Sequence, residues 1–223
     1  MYNFYDYIIF PKREEREKIK KTFFNALDLR LKKLIEEKTK KSLSKELVEK
    51  ITIFNNNLAY LDLNILKMVN YYNLMKGSSD EEEKNIYQIL FLFGCRDVSC
   101  EMFVYEEKIK DLIRFVYEFN LDEIENYSDF ISQLKKKSIS GHRQFFYKYL
   151  KKYIKNKEIV EIKEIRNNEV HNSTDMVYIK REELIYYENL YRLFEKGLNI
   201  ILELKQEFEK LLVEEYKDNI FKS

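Results

Sequence analysis

Apolar side chains recur at steps of three and four along nearly the whole chain, the spacing of one buried face of a helix. After Pro11 the pattern predicts a helix from about Glu14 to Lys40, with Ile19, Phe23, Phe24, Leu27 and Leu31 on its inner face. Ser44 reads as the N-cap of a second helix reaching about Lys76. Gly77-Ser78-Ser79-Asp80 reads as a C-cap followed by a new N-cap, with Glu82 and Glu83 in the first turn. The next helix is expected to end near Gly94 and another to cover about Ser99 to Phe119, followed by a loop over Asn120 to Ser128. A break at Ser138 to Gly141 precedes a helix from about His142 to Ile154. A helix from Glu158 carries Ile159, Ile162 and Ile165 up to the polar stop His171-Asn172-Ser173-Thr174. The last spans about Arg181 to Tyr216, its stripe being Leu184, Tyr187, Tyr191, Phe194, Leu198, Ile201, Leu204, Phe208 and Leu211. The pattern holds no internal repeat. It predicts one all-α domain over 1–223, a bundle of near-antiparallel helices, with N-terminal helices over about 12–120 and a second group over about 127–217.

Composition agrees. Four Gly and one Pro leave few tight turns, which argues against an all-β or α/β fold. No apolar run approaches the eighteen or so residues of a membrane span. Met1 to Phe10 is aromatic but carries no basic n-region, its positive charges following Pro11, so a secretory signal is not expected. Cys95 and Cys100 are too few for a secreted disulfide scaffold or a zinc site, which places the chain in a reducing cytoplasm with no metal or cofactor expected.

The formal charge of +1 decides nothing, but its distribution does. Asp80 to Glu125 holds thirteen acidic and five basic residues, whereas Ile131 to Lys157 holds nine basic residues and no acidic one. Within the basic segment, Lys148, Lys151, Lys152 and Lys155 share one side of the expected helix. With Arg143 they form an expected RNA-binding face that tracks phosphates. The interleaved Phe145, Phe146, Tyr147, Tyr149 and Tyr153 could stack on bases, but at this spacing core packing is the favoured role. His142 is expected to be a surface residue at the helix start.

The most specific chemistry lies at Arg166-Asn167-Asn168-Glu169-Val170-His171. Histidine can take a proton from an attacking hydroxyl near neutral pH. Arginine offers a donor fork that matches phosphate oxygens. RNA supplies its own nucleophile, the 2′-hydroxyl, so such a pair can cleave it without a metal. At about 100° per residue, His171 lies about 140° around a regular helix from Arg166, while Asn167 shares its face. Either the helix frays beyond His171 or a second subunit completes the site. The competing structural role has Arg166 paired with Glu169 and His171 favouring the helix C-terminal dipole.

Arg166-Asn167, three residues, then His171 resembles the R-N-x-x-x-H form of the motif of the HEPN superfamily. With nine Arg, eighteen Asn and two His in the chain, this fixed spacing is expected by chance only about 0.007 times. The resemblance spans six residues and the helical context. It implies a HEPN-like helical bundle, here with extra long N-terminal and C-terminal helices, acting as a metal-independent endoribonuclease in a homodimer. Arg166 and His171 would be catalytic and Asn167 a polar helper. It further implies the effector of a toxin–antitoxin or antiviral defence system, with an antitoxin or defence protein as a possible partner. In toxins of this family modified by nucleotidyltransferase antitoxins a tyrosine follows two residues after the histidine; here Ser173 stands there, which argues against that partner. The alternative is a non-catalytic HEPN-type module that binds RNA, a nucleotide or a partner protein.

Overall fold

A computed structural model describes residues 14, 44–119, 127–138, 141–171 and 184–217, with the side chains of 127, 168–171, 184 and 216–217 excepted. The expected helix from Glu14 to Lys40 lies almost wholly outside the described residues. Those residues form an all-α fold of six helices with no strand among them: α1 (Lys45–Gly77), α2 (Glu81–Val116), α3 (Tyr127–Lys137), α4 (Gly141–Ile154), α5 (Lys157–His171) and α6 (Leu184–Lys217). No helix among them is long and apolar enough to cross a membrane.

The helix starts follow from local chemistry. Ser44 Oγ accepts from the Leu47 amide at 3.3 Å, and Asp80 Oδ1 accepts from Glu82 and Glu83 at 2.8 and 3.1 Å. Asn156 caps α5, its side-chain oxygen accepting from Ile159 N at 3.1 Å. Gly141 opens α4 at φ +61°, a backbone state that glycine adopts without strain.

Two boundaries depart from the sequence expectation. The break expected between Gly94 and Ser99 does not exist, and α2 runs unbroken over 36 residues. Gly94 instead marks a close helix crossing: a Cβ there would meet Met68 Cα of α1 at 2.9 Å. Its smallness serves packing and not a turn. The loop expected to reach Ser128 also ends earlier, since α3 begins at Tyr127.

The α1–α2 pair is a hairpin closed by Ser78 to Asp80. Phe54 packs on Tyr105, Gly94 lies against Met68, and Tyr72 meets Phe91, so partners run in opposite directions along the two helices. Helix α6 lies antiparallel to α1, with Phe54 against Phe208 and Tyr72 stacked on Tyr191 at 4.0 Å. Helix α4 covers the far end of α6, where Phe146 packs on Phe208. Phe54, Tyr105, Phe146 and Phe208, all essentially sealed from solvent, thus join four helices at the centre of the core.

Candidate functional site

Helix α5 carries the Arg-Asn…His segment, and its seat on α2 is specific. Ile159 and Ile162 are buried, and Ile162 reaches the Gly197 backbone of α6. On the adjoining face, Lys163 Nζ lies 3.1 Å from Glu106 of α2, a nearly buried carboxylate that also meets Lys110 at 3.3 Å and accepts from the Tyr153 hydroxyl at 3.4 Å. Lys163 and Arg166, one turn apart, both lie over the Phe103 ring of α2, at 5.2 and 4.9 Å.

Arg166 is therefore oriented. Its guanidinium lies over the Phe103 ring, and Nη1 donates to Asn167 Oδ1 at 2.9 Å. Arg166 is half-buried and Asn167 is exposed. Among the described residues no carboxylate pairs with Arg166; the Glu169 side chain lies outside them. The guanidinium lies over the ring with one N–H donor on Asn167, and it carries further N–H donors of the kind a phosphate would use. The nearby Cys100 thiol is pushed up by burial, an effect the Arg166 charge partly offsets. Cys95 is buried, and neither cysteine is in a disulfide.

His171 is the last residue of α5, and its side chain lies outside the described residues. The backbone is helical through that position, so Arg166 and His171 leave the axis about 140° apart. The helix thus brings Arg166 and Asn167 together, and its backbone sets position 171 about 140° further round the axis from position 166.

The basic residues of α4 divide into two groups. Lys148, Lys151, Lys152 and Lys155 are all exposed, and none pairs with a carboxylate among the described residues. Lys135, Lys136 and Lys137, at the end of α3, are exposed as well. Arg143 is different. Its Nε and Nη2 both donate to Glu215 of α6, at 2.5 Å each, and its guanidinium stacks on Tyr117 at 4.7 Å. His142 is not a free surface residue either: its Nε2 lies 2.9 Å from the same carboxylate. Glu215 is 0% exposed, while the side chains of His142 and Arg143 retain 28% and 20%. Burial pushes the Tyr117 hydroxyl well above its ordinary range, with the Glu215 charge adding to the shift and Arg143 opposing it. This cluster pins the start of α4 to the end of α6. Expected as an RNA contact, Arg143 is instead engaged with a buried acid 72 residues away.

The α4 aromatics mostly take the core role. Phe146 and Tyr153 are buried, Tyr147 and Tyr149 pack at the core edge, and the Tyr149 hydroxyl donates to Glu203 at 3.1 Å. Phe145 is the exception at 63% exposed. Among the described residues no three His, Cys, Asp or Glu side chains converge to hold a metal ion. Compared with family models, with curated proteins and with solved structures, the chain finds no match.

Proposed function

We propose that this chain is a metal-independent endoribonuclease of the HEPN type, working as a homodimer and serving as the effector of a toxin–antitoxin or antiviral defence system. The observation that carries the reading is the state of Arg166. It is held in place by Phe103 and Asn167, has no carboxylate partner among the described residues, and sits on the helix that follows the lysine-bearing α4. An arginine held in place, with no carboxylate on it among the described residues, is suited to receive a phosphate. The roughly 140° between Arg166 and His171 supports a site shared by two copies, in which the arginine of one meets the histidine of the other.

In this reading His171 removes the 2′-hydroxyl proton, the oxygen attacks the adjacent phosphorus, and Arg166 stabilises the charge that gathers on the phosphorane. The 5′-oxygen leaves and takes a proton, giving a 2′,3′-cyclic phosphate. Asn167 holds the guanidinium. The lysines of α4 retain the strand.

The test is cleavage of a labelled RNA in excess EDTA. Wild type should cut and leave cyclic phosphate ends. Arg166→Ala should lose about 10²–10³-fold in rate, the effect of one well-placed donor, and His171→Ala about 10²–10⁴-fold, the usual worth of acid–base help. A second reading draws on the same geometry: lying over Phe103 with one donor on Asn167, Arg166 could serve a bundle that binds RNA without cutting it. Tight binding with no cleavage under any condition would favour that reading.

A further inference from the structure

Helix α4 presents a narrow exposed stripe of unusual make-up. Phe145, Lys148, Lys151, Lys152 and Lys155 are all exposed, and no acid interrupts them. Taking 100° per residue, Lys152 and Lys148 lie within about 60° of Phe145 around the axis, and Phe145, Lys148, Lys151 and Lys152 fit within about 120°. They run about 10 Å along the helix, and Lys155 follows in the turn just beyond its end. Phe145 cannot turn inward, because its neighbour Phe146 is 1% exposed and fixes the rotation of the helix against Phe208.

We infer that this stripe binds single-stranded RNA, with one unpaired base stacked on the Phe145 ring and the flanking phosphates met by Lys148 and Lys152. The inference rests on the ribonuclease reading for the choice of ribose but adds the strandedness of the substrate. A run of lysines alone would suit any polyanion. An exposed phenyl ring within it suits a polyanion that also offers flat apolar faces, and only unpaired bases do so, since a duplex keeps its faces stacked inside. A membrane surface fits less well. The apolar face of α4 is spent on the core through Phe146, Leu150 and Tyr153, leaving one ring to enter a bilayer. An acidic peptide would satisfy the lysines and leave the ring without a role.

The experiment is fluorescence anisotropy on the full chain with a labelled 12-nucleotide RNA, the same RNA annealed to its complement, and poly-glutamate, each across a salt series. Wild type should prefer the single strand, and Phe145→Ala should weaken that binding about tenfold or more while leaving the salt slope unchanged, because a stacked ring releases no counterions. Phe145→Trp should restore it. Phe145 is exposed, so the variant should melt like wild type, and a thermal scan checks this. If Phe145→Ala binds the single strand as wild type does, or if duplex binds equally well, the stacking inference is overturned while the RNA reading stands. If poly-glutamate binds as tightly as RNA, or if RNA does not bind at all, both are overturned.

Discussion

Four described arginines lie over an aromatic ring beside a polar partner, and two of them, Arg143 and Arg166, have opposite fates. At the start of α4, Arg143 and His142 converge on Glu215, a carboxylate with no exposure at all. Near the end of α5, Arg166 leans on Phe103 and Asn167, and among the described residues it meets no carboxylate. Both lie over an aromatic ring, so the ring does not separate them. The counter-charge does. A guanidinium bound through two donors to a buried acid is neutralised and serves as a structural clamp; one that is merely oriented keeps its charge for a ligand.

The largest expected effect tests the clamp. Glu215→Ala leaves the Arg143 guanidinium against the core without its carboxylate and should cost about 3 kcal/mol, the low end for a broken buried pair because His142 and Arg143 retain some solvent. Urea unfolding would register it. A loss under about 1 kcal/mol would mean the clamp contributes little.

Next comes a contrast in RNA binding. Reversing the charge of Lys148, Lys151, Lys152 and Lys155 should flatten the salt dependence by roughly 0.7 for each lost single-strand contact, about 3 in all. Arg143→Ala should destabilise the fold yet leave that slope unchanged. Equal slopes for Arg143→Ala and a single lysine variant would show that the guanidinium reaches phosphate after all.

Alkaline pH should weaken the clamp, as it should the surroundings of the other tyrosines whose hydroxyls burial raises, Tyr105 and Tyr191 among them. The Tyr117 hydroxyl finds no hydrogen-bond partner among the described residues, and its pKa is raised above 10.0 mainly by burial. The folded state therefore holds this proton more tightly than the unfolded chain. Its contribution is fully present below pH 10 and is lost as pH rises beyond. Tyr117→Phe should remove part of the alkaline fall in stability while costing little at neutral pH, since no hydrogen bond is broken. Parallel pH profiles for both proteins would contradict this. The smallest expected effect is on the motif side, where Arg166→Ala should shift stability by only about 0.5 kcal/mol, because the residue is partly exposed and no acid among the described residues pairs with it.

Local signals in the sequence revealed what depends on neighbours along the chain. Ser44 and Asp80 could be read as caps because a cap is satisfied two or three residues away. The lysine face of α4 was legible from the steps of three and four. The misreadings involve distance. Gly94 resembles a breaker in sequence, and only the crossing with Met68 explains it. Arg143 looks like one more cation in a basic run, and nothing within that run points to Glu215. The neighbours Phe145 and Phe146 are chemically identical, yet one is exposed and the other buried, because Phe208 sets which side of α4 faces inward. Of the candidate site, the sequence yields the residue types and their angular spacing; the Phe103 platform under Arg166 comes from another helix and leaves no trace in the motif.

The central claim, a cleavage site made by Arg166 of one copy and His171 of another, is tested most directly by mixing two inactive proteins. Arg166→Ala and His171→Ala should each fail to cut RNA. Mixed in equal amounts and allowed to exchange subunits, they form heterodimers in which one of the two sites regains both groups, so about a quarter of wild-type activity should return. A mixture that stays inactive although heterodimers form, while wild type cuts in EDTA, would contradict the shared site.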